Sequence, residues 1–124
     1  MKIYLAGPMP TQKEWRDKIK KKLKSHTFFD PDYFENTHSD ATIVNYDKSM
    51  IQSSDIVIAN ITRLSCGTSM EILFAFERNI PVFLTGDEKL IGPWHRHHIS
   101  AYCKDLDEIV ARVKSYEKTV FPKK

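Results

Sequence analysis

The chain has 124 residues, 41% of them hydrophobic and 28% charged, which is the size and balance of one soluble globular domain. A formal charge of +3 allows an anionic small ligand without requiring nucleic acid, and the two cysteines, Cys66 and Cys103, stand at no metal-binding spacing and fit a reduced, cytoplasmic setting. The N-terminal run IYLAG is too short for a signal peptide, and no stretch approaches the length of a membrane span.

KIYLAG, residues 2–7, reads as a buried strand ended by Gly-Pro. In the following TQKEWRDKIKKKLKSH, Trp15, Ile19 and Leu23 recur every four residues among lysines, which predicts an amphipathic helix capped by Thr11 with Glu14 three residues on. No aromatic residues interleave with the lysines of KIKKKLK, so that run reads as a wet helix face rather than a single-strand nucleic-acid surface. TFFD is a short second strand, and residues 31–40 form a polar loop. Apolar spacing predicts a second helix over about 41–53. DIVIANI, residues 55–61, is almost continuously apolar, as befits a strand covered on both faces. A third helix is expected from just after Gly67 to about Asn79, followed by a strand in IPVFLT. GPWHRHH reads as a loop and ISAYC as a last strand. The closing helix, DLDEIVARVKSYEK, puts Leu106, Ile109, Val110 and Val113 on one face.

Strands alternating with helices imply an α/β domain over 1–124, a doubly wound parallel sheet of about five strands with helices on both faces. Ligands of such sheets bind beyond the carboxyl ends of the strands. Those ends are Ala6-Gly7, Asp30-Pro31, Asn60-Ile61 and Thr85-Gly86, and the candidate polar residues gather near them.

Glu71 carries two readings. TSME fits a capping box, with Thr68 as the cap and Glu71 reaching back to its amide. Alternatively, Glu71 does chemistry at a helix start whose bare amides around Gly67 suit an anion. Asp47 lies four residues after Ile43 and four before Ile51, on the apolar face of its helix. A carboxyl desolvated there has a raised pKa and suits a general acid; the competing reading is an edge residue reaching solvent or Lys48. Tyr4 alone reads as a core tyrosine, and Asp55 and Asn60 as strand-end ties. In WHRHH, His95 and His98 would share a metal if helical, but no acidic or cysteine partner stands at a standard spacing. A basic, aromatic loop touching an anionic ligand or a neighbouring subunit is the alternative.

IYLAGP at the start, DIVIAN in the third strand and GTSMEILFA just after it, in this order, resemble the nucleoside 2-deoxyribosyltransferase superfamily across residues 3–85. That superfamily includes deoxyribosyltransferases and nucleoside 5′-monophosphate N-glycosidases. The resemblance implies a flavodoxin-like fold, a homodimer or larger assembly, and a nucleoside or nucleotide substrate. It implies Glu71 as nucleophile, Tyr4 as the residue that orients it, and Asp47 as the second carboxylate. It also implies phosphate contacts from Ser65 and the amides at Gly7, and a base contact from the loop that begins at Asp30. The chain departs from the pattern in two places. GPMPT lacks the arginine that the hydrolases carry after the first-strand glycine, a gap that His95 or Arg96 of a partner subunit would fill. The tail VFPKK lacks the asparagine that transferases lend across their interface.

The expected activity is cleavage of an N-glycosidic bond by the two-carboxylate route of retaining glycosidases, with no metal and no cofactor. Base exchange on deoxyribose is the alternative. A non-catalytic nucleotide sensor, from a different class, would have no need of Tyr4, Asp47 and Glu71 together.

Overall fold

The computed structural model describes residues 1–8, 13–31 and 38–121. Thr11, expected to cap the first helix, lies outside the described residues, as does most of the polar loop after Asp30. The elements in chain order are β1 (Lys2–Ala6), α1 (Lys13–Lys22), β2 (Thr27–Phe29), α2 (Asp40–Gln52), β3 (Ile56–Ile61), α3 (Cys66–Glu77), β4 (Val82–Gly86), α4 (Pro93–His97), β5 (Ala101–Tyr102) and α5 (Leu106–Val120). A single turn of 3-10 helix, Glu88–Leu90, lies between β4 and α4.

The five strands form one sheet in the order β2-β1-β3-β4-β5. Every pairing is parallel. This is the doubly wound, flavodoxin-like order. The side-chain period of two divides each strand between two cores. Ile3 and Leu5 of β1 and Ile56 and Ile58 of β3 pack with Trp15 and Ile19 of α1 and Ile109 and Val113 of α5. Tyr4 and Ala6, with Val57, Ala59 and Ile61, pack with Ile51 of α2 and Ile72 and Ala75 of α3. Both faces of β1 and β3 are covered, which is why those strands read as unbroken apolar runs. Each fully buried aliphatic side chain contributes about 1.5–3 kcal/mol.

Some boundaries differ from expectation, each for a local reason. The third helix begins at Cys66, because Ser65, in extended conformation, is its N-cap and its hydroxyl accepts from the Thr68 amide at 3.2 Å. Thr68 is therefore a buried residue of the first turn and not the cap. The same helix ends in a Schellman arrangement. Asn79 sits at φ 60, the Ile80 amide donates to the Ala75 carbonyl and the Asn79 amide to that of Phe76. The segment WHRHH is helical and not a loop, started by Pro93 in its first turn. Gly86 has φ +134, and a Cβ there would fall 2.2 Å from the Ile61 carbonyl oxygen, so only glycine fits the end of β4. Asp55, expected as a strand-end tie, accepts from the Lys2 amide at 2.7 Å and so joins β3 to β1.

Candidate active site

β1 and β3 are neighbours whose onward connections leave in opposite directions, so the crevice at their carboxyl ends is the switch point of the sheet. A cavity of about 680 Å³ opens there and runs between α2 and α3. Gly7, Pro31, Asp47, Ser65, Gly67 and Glu71 all line it. The apolar part of the lining comes from Ile43, Val44, Ile51, Met70, Leu73 and Phe74. That volume holds a nucleoside-sized ligand.

Glu71 lies in the second turn of α3, five residues past the first helical residue, out of reach of the cap amide. The capping-box reading therefore fails on geometry. The carboxylate turns inward instead and accepts a hydrogen bond from the hydroxyl of Tyr4, which is fully buried in the middle of β1. Burial pushes the Glu71 carboxyl up to about 7; the Tyr4 hydrogen bond opposes this, the Asp47 charge adds to it and the Arg16 charge opposes it. Tyr4 itself is held far above the usual phenol range, first by burial and then by the charges of Glu71 and Asp47, so it stays a neutral donor.

Asp47, on α2, faces the same cavity as its place on the apolar stripe required. Its Oδ1 is buried and has no hydrogen-bond partner among the described residues. Desolvation raises its carboxyl to about 6. An unpartnered, desolvated carboxyl keeps its proton to higher pH than an exposed one. The side chain as a whole is half-buried, at the edge of the helix face with Oδ1 withdrawn from solvent. Two carboxyls share one cavity in environments that hold their pKa values near 6 and near 7. The higher value falls on Glu71, so a single shared proton rests more on Glu71 than on Asp47, and attack by Glu71 requires that proton to sit on Asp47.

Ser65, Gly67 and Thr68 at the start of α3 line the cavity, as does Gly7 just after β1. Helix-start amides there suit an anionic group. Asp30 does not line the cavity: it is buried and pairs with Lys20 at 2.8 Å and with Arg16 at 3.5 Å. Its successor Pro31 reaches the cavity.

His95 and Arg96 do not line the cavity of their own chain. The His95 Nδ1 accepts from the Gly92 amide at 3.1 Å, and its Nε2 lies 3.0 Å from the Ser69 hydroxyl. The Ser69 hydroxyl in turn donates to the Ser65 carbonyl at 3.2 Å. This chain of contacts buttresses the start of α3 from behind and occupies both ring nitrogens. Burial and the neighbouring Arg96 lower the His95 pKa, which keeps the ring neutral in that role. The Arg96 guanidinium donates to the Ile91 carbonyl at 3.0 Å. His98 holds the Trp94 carbonyl at 2.6 Å. Among the described residues no group of three or more His, Cys, Asp or Glu side chains is gathered as a metal site.

Sequence reasoning missed Arg16. It lies on a lysine-rich helix and looks like part of the wet face, yet it is 1% exposed. Its only signal is position, directly after Trp15 on the buried stripe. Lys48 and Phe74 were also missed as cavity residues; the Lys48 ammonium sits 5.3 Å from the Phe74 ring centroid.

A carboxylate held by a strand tyrosine and a second, desolvated carboxyl thus line one cavity at the switch point of a doubly wound sheet. The chain belongs to the nucleoside 2-deoxyribosyltransferase family, whose profile matches residues 3–100. Members of this family are enzymes acting on the glycosidic bond of nucleosides or nucleotides, both deoxyribosyltransferases and N-glycosidases. Among solved structures, the 2-deoxyribosyltransferase of Bacillus psychrosaccharolyticus is similar at TM-score 0.74 and 22% identity, over 89% of this chain and 90% of that one. The CMP N-glycosidase of Clostridium botulinum is similar at TM-score 0.70 and 20% identity, over 94% of this chain and 100% of that one. A conserved protein of Enterococcus faecalis is similar at TM-score 0.77 and 16% identity, over 94% and 98% of the two chains. At these identities the likeness establishes the shared fold. No curated protein sequence matches the chain. No helix among the described residues is long and apolar enough to cross a membrane.

Proposed function

We propose that this protein cleaves the N-glycosidic bond of a nucleoside 5′-monophosphate, ribo or deoxyribo, and releases the free base. The observation that carries the reading is the Tyr4–Glu71 hydrogen bond inside the cavity that Asp47 also lines. A Glu71 carboxylate oxygen attacks the anomeric carbon. The bond from that carbon to the base nitrogen breaks, and the departing nitrogen takes the proton of Asp47. A glycosyl ester on Glu71 results. Water then attacks the anomeric carbon, the ester bond breaks, and Asp47 takes the water proton. Tyr4 aims the nucleophile throughout. The phosphate is assigned to the Ser65 hydroxyl and the turns at Gly7 and Gly67.

A second reading, base exchange on deoxyribose, draws support from His95 and Arg96, which face away from the cavity of their own chain and leave fewer cations for a phosphate. In that case a second base replaces water in the last step. We further place the working enzyme as a homodimer. Leu64, Met70 and Trp94 are 75%, 69% and 76% exposed, large apolar side chains that a partner subunit would cover. Both cysteines are free, which supports a cytoplasmic setting.

The test is incubation with a panel of nucleosides and 5′-monophosphates, with and without a second free base, followed by chromatography of released base. Monophosphates cleaved with the higher kcat/KM support the proposal. Nucleosides cleaved equally well, with the sugar passed to the added base, support the exchange reading.

A further inference from the structure

The buried guanidinium of Arg16 has no place in the scheme above, and burying a cation of this size is costly unless its partners and its field are used. Arg16 belongs to α1, on the opposite side of the sheet from α2 and α3. Its Nη2 donates to the Gly7 carbonyl at 3.2 Å, and its Nε lies 3.5 Å from Asp30 Oδ1. The Gly7 turn is pressed against it: a Cβ at Gly7 would fall 2.9 Å from Trp15 Cζ2 and 3.3 Å from Arg16 Nη2. Gly7 in turn lines the cavity with Glu71, and Tyr4, three residues earlier in the same strand, holds the Glu71 carboxylate.

We infer that Arg16 is a positioning residue for Glu71. Its buried fork fixes the Gly7 turn at the edge of the cavity, and its permanent charge, delivered through the sheet, stabilises the Glu71 carboxylate against the negative charge of Asp47. The inference rests on the proposed role of Glu71 and deepens it. Among the described residues, Tyr4 from β1 and Asp47 from α2 act on Glu71, Lys48 of α2 lines the same cavity, and Arg16 of α1 acts from behind the sheet. The partners of Arg16 include Asp30 at the end of β2 and the Gly7 carbonyl, and Lys20 shares Asp30. The effect of Arg16 on the Glu71 carboxyl is downward, smaller than those of burial, the Tyr4 hydrogen bond and the Asp47 charge. Arginine suits the place because it stays charged when buried and presents several donors in a fixed plane.

The experiment follows the ionisation of Glu71 directly, by the carboxyl carbon-13 shift of glutamate-labelled protein across pH, assigned with Glu71→Gln. Arg16→Gln keeps a donor for the Gly7 carbonyl and removes the charge. It should raise the Glu71 midpoint, with a roughly tenfold lower ratio of ionised to neutral carboxyl on the acidic side, the effect of one charge at partly screened distance. Arg16→Lys keeps the charge and loses the fork. It should leave the midpoint near that of the native protein while lowering thermal stability. An unchanged midpoint in Arg16→Gln, or equal shifts in the Gln and Lys variants, overturns the inference. The titration is read without substrate, so a protein that cleaves no nucleotide defeats the proposed function, while the Glu71 midpoint still shows whether Arg16 acts on that carboxyl.

Discussion

The Tyr4 hydroxyl, in the middle of β1, donates to the Glu71 carboxylate in the second turn of α3, 67 residues further along the chain. The contact orients a buried carboxylate toward the cavity and partly offsets the cost of its burial. Tyr4→Phe removes the donor and little volume. The Glu71 carboxyl should then rise above about 7, since the hydrogen bond is what lowers it after burial has raised it. The expected loss in kcat is on the order of tenfold to a hundredfold, matching about 1.5–3 kcal/mol for a hydrogen bond to a charged group. A kcat within twofold of the parent, with the acid limb of the pH profile unmoved, would remove Tyr4 from this role.

The pH dependence of kcat/KM should be bell-shaped. The active form has Glu71 ionised and Asp47 protonated, so the pair must carry one proton in total. The singly protonated pair is most populated between about 6 and about 7, with the proton resting more on Glu71 than on Asp47, so the attacking arrangement is the minor one of the two. Because the two groups interact, the limbs belong to the pair. Asp47→Asn should abolish the alkaline limb and slow substrates with poor leaving bases far more than those with good ones. Equal slowing of both kinds of substrate would show that Asp47 is not the acid.

Stability should respond to the same burial with opposite sign to activity. Unfolded, Glu71 ionises near its ordinary 4.5; folded, near 7. Between those values the folded chain holds a proton that the unfolded chain has released, so folding stability falls as pH rises through the window. Glu71→Gln escapes this cost and still accepts from Tyr4. It should match the parent below pH 4.5 and exceed it above pH 7 by on the order of 3 kcal/mol. Urea titrations at both ends of the window test this, and a variant less stable than the parent at pH 8 would contradict it.

Ser65 and His95 should separate. Ser65 caps α3 and lines the cavity, so Ser65→Ala should cost about 1 kcal/mol of stability and about tenfold of any preference for monophosphates. His95 supports α3 from behind through Ser69. His95→Ala should lower the thermal midpoint and leave the ratio of monophosphate to nucleoside kcat/KM unchanged. A ratio that collapses in His95→Ala would mean that the histidine reaches the substrate, from a partner subunit.

Much of the fold was legible because its signals are local and redundant. The unbroken apolar runs of β1 and β3 and the stripe of Trp15, Ile19 and Leu23 each predict their element from the residues themselves. The place of Asp47 on the cavity was legible because it shares a helix face with Ile43 and Ile51, which line the same cavity. Glu71 was ambiguous for an equally physical reason. TSME satisfies the capping pattern, and only the extended backbone at Ser65, φ −147, moves the cap three residues back and frees Glu71. The helix at Pro93 had a signal, Gly-Pro before a run without breakers, but a histidine cluster reads as a binding loop. Arg16 was illegible, because nothing in KEWRDK separates a guanidinium pointing at solvent from one drawn under a turn by Gly7 and Asp30, residues at the ends of two other elements.

The central claim is that Glu71 forms a covalent bond to the sugar. The most direct measurement is rapid acid quenching of the enzyme during turnover of a substrate carrying fluorine at the 2′ carbon, which slows release of the sugar by destabilising the cation-like transition state. Intact mass and peptide mapping then locate any adduct. The account predicts one added sugar phosphate (or bare sugar from a nucleoside) on the peptide containing Glu71, absent in Glu71→Gln. Base release at the native rate by Glu71→Gln, or an adduct on another residue, would contradict it.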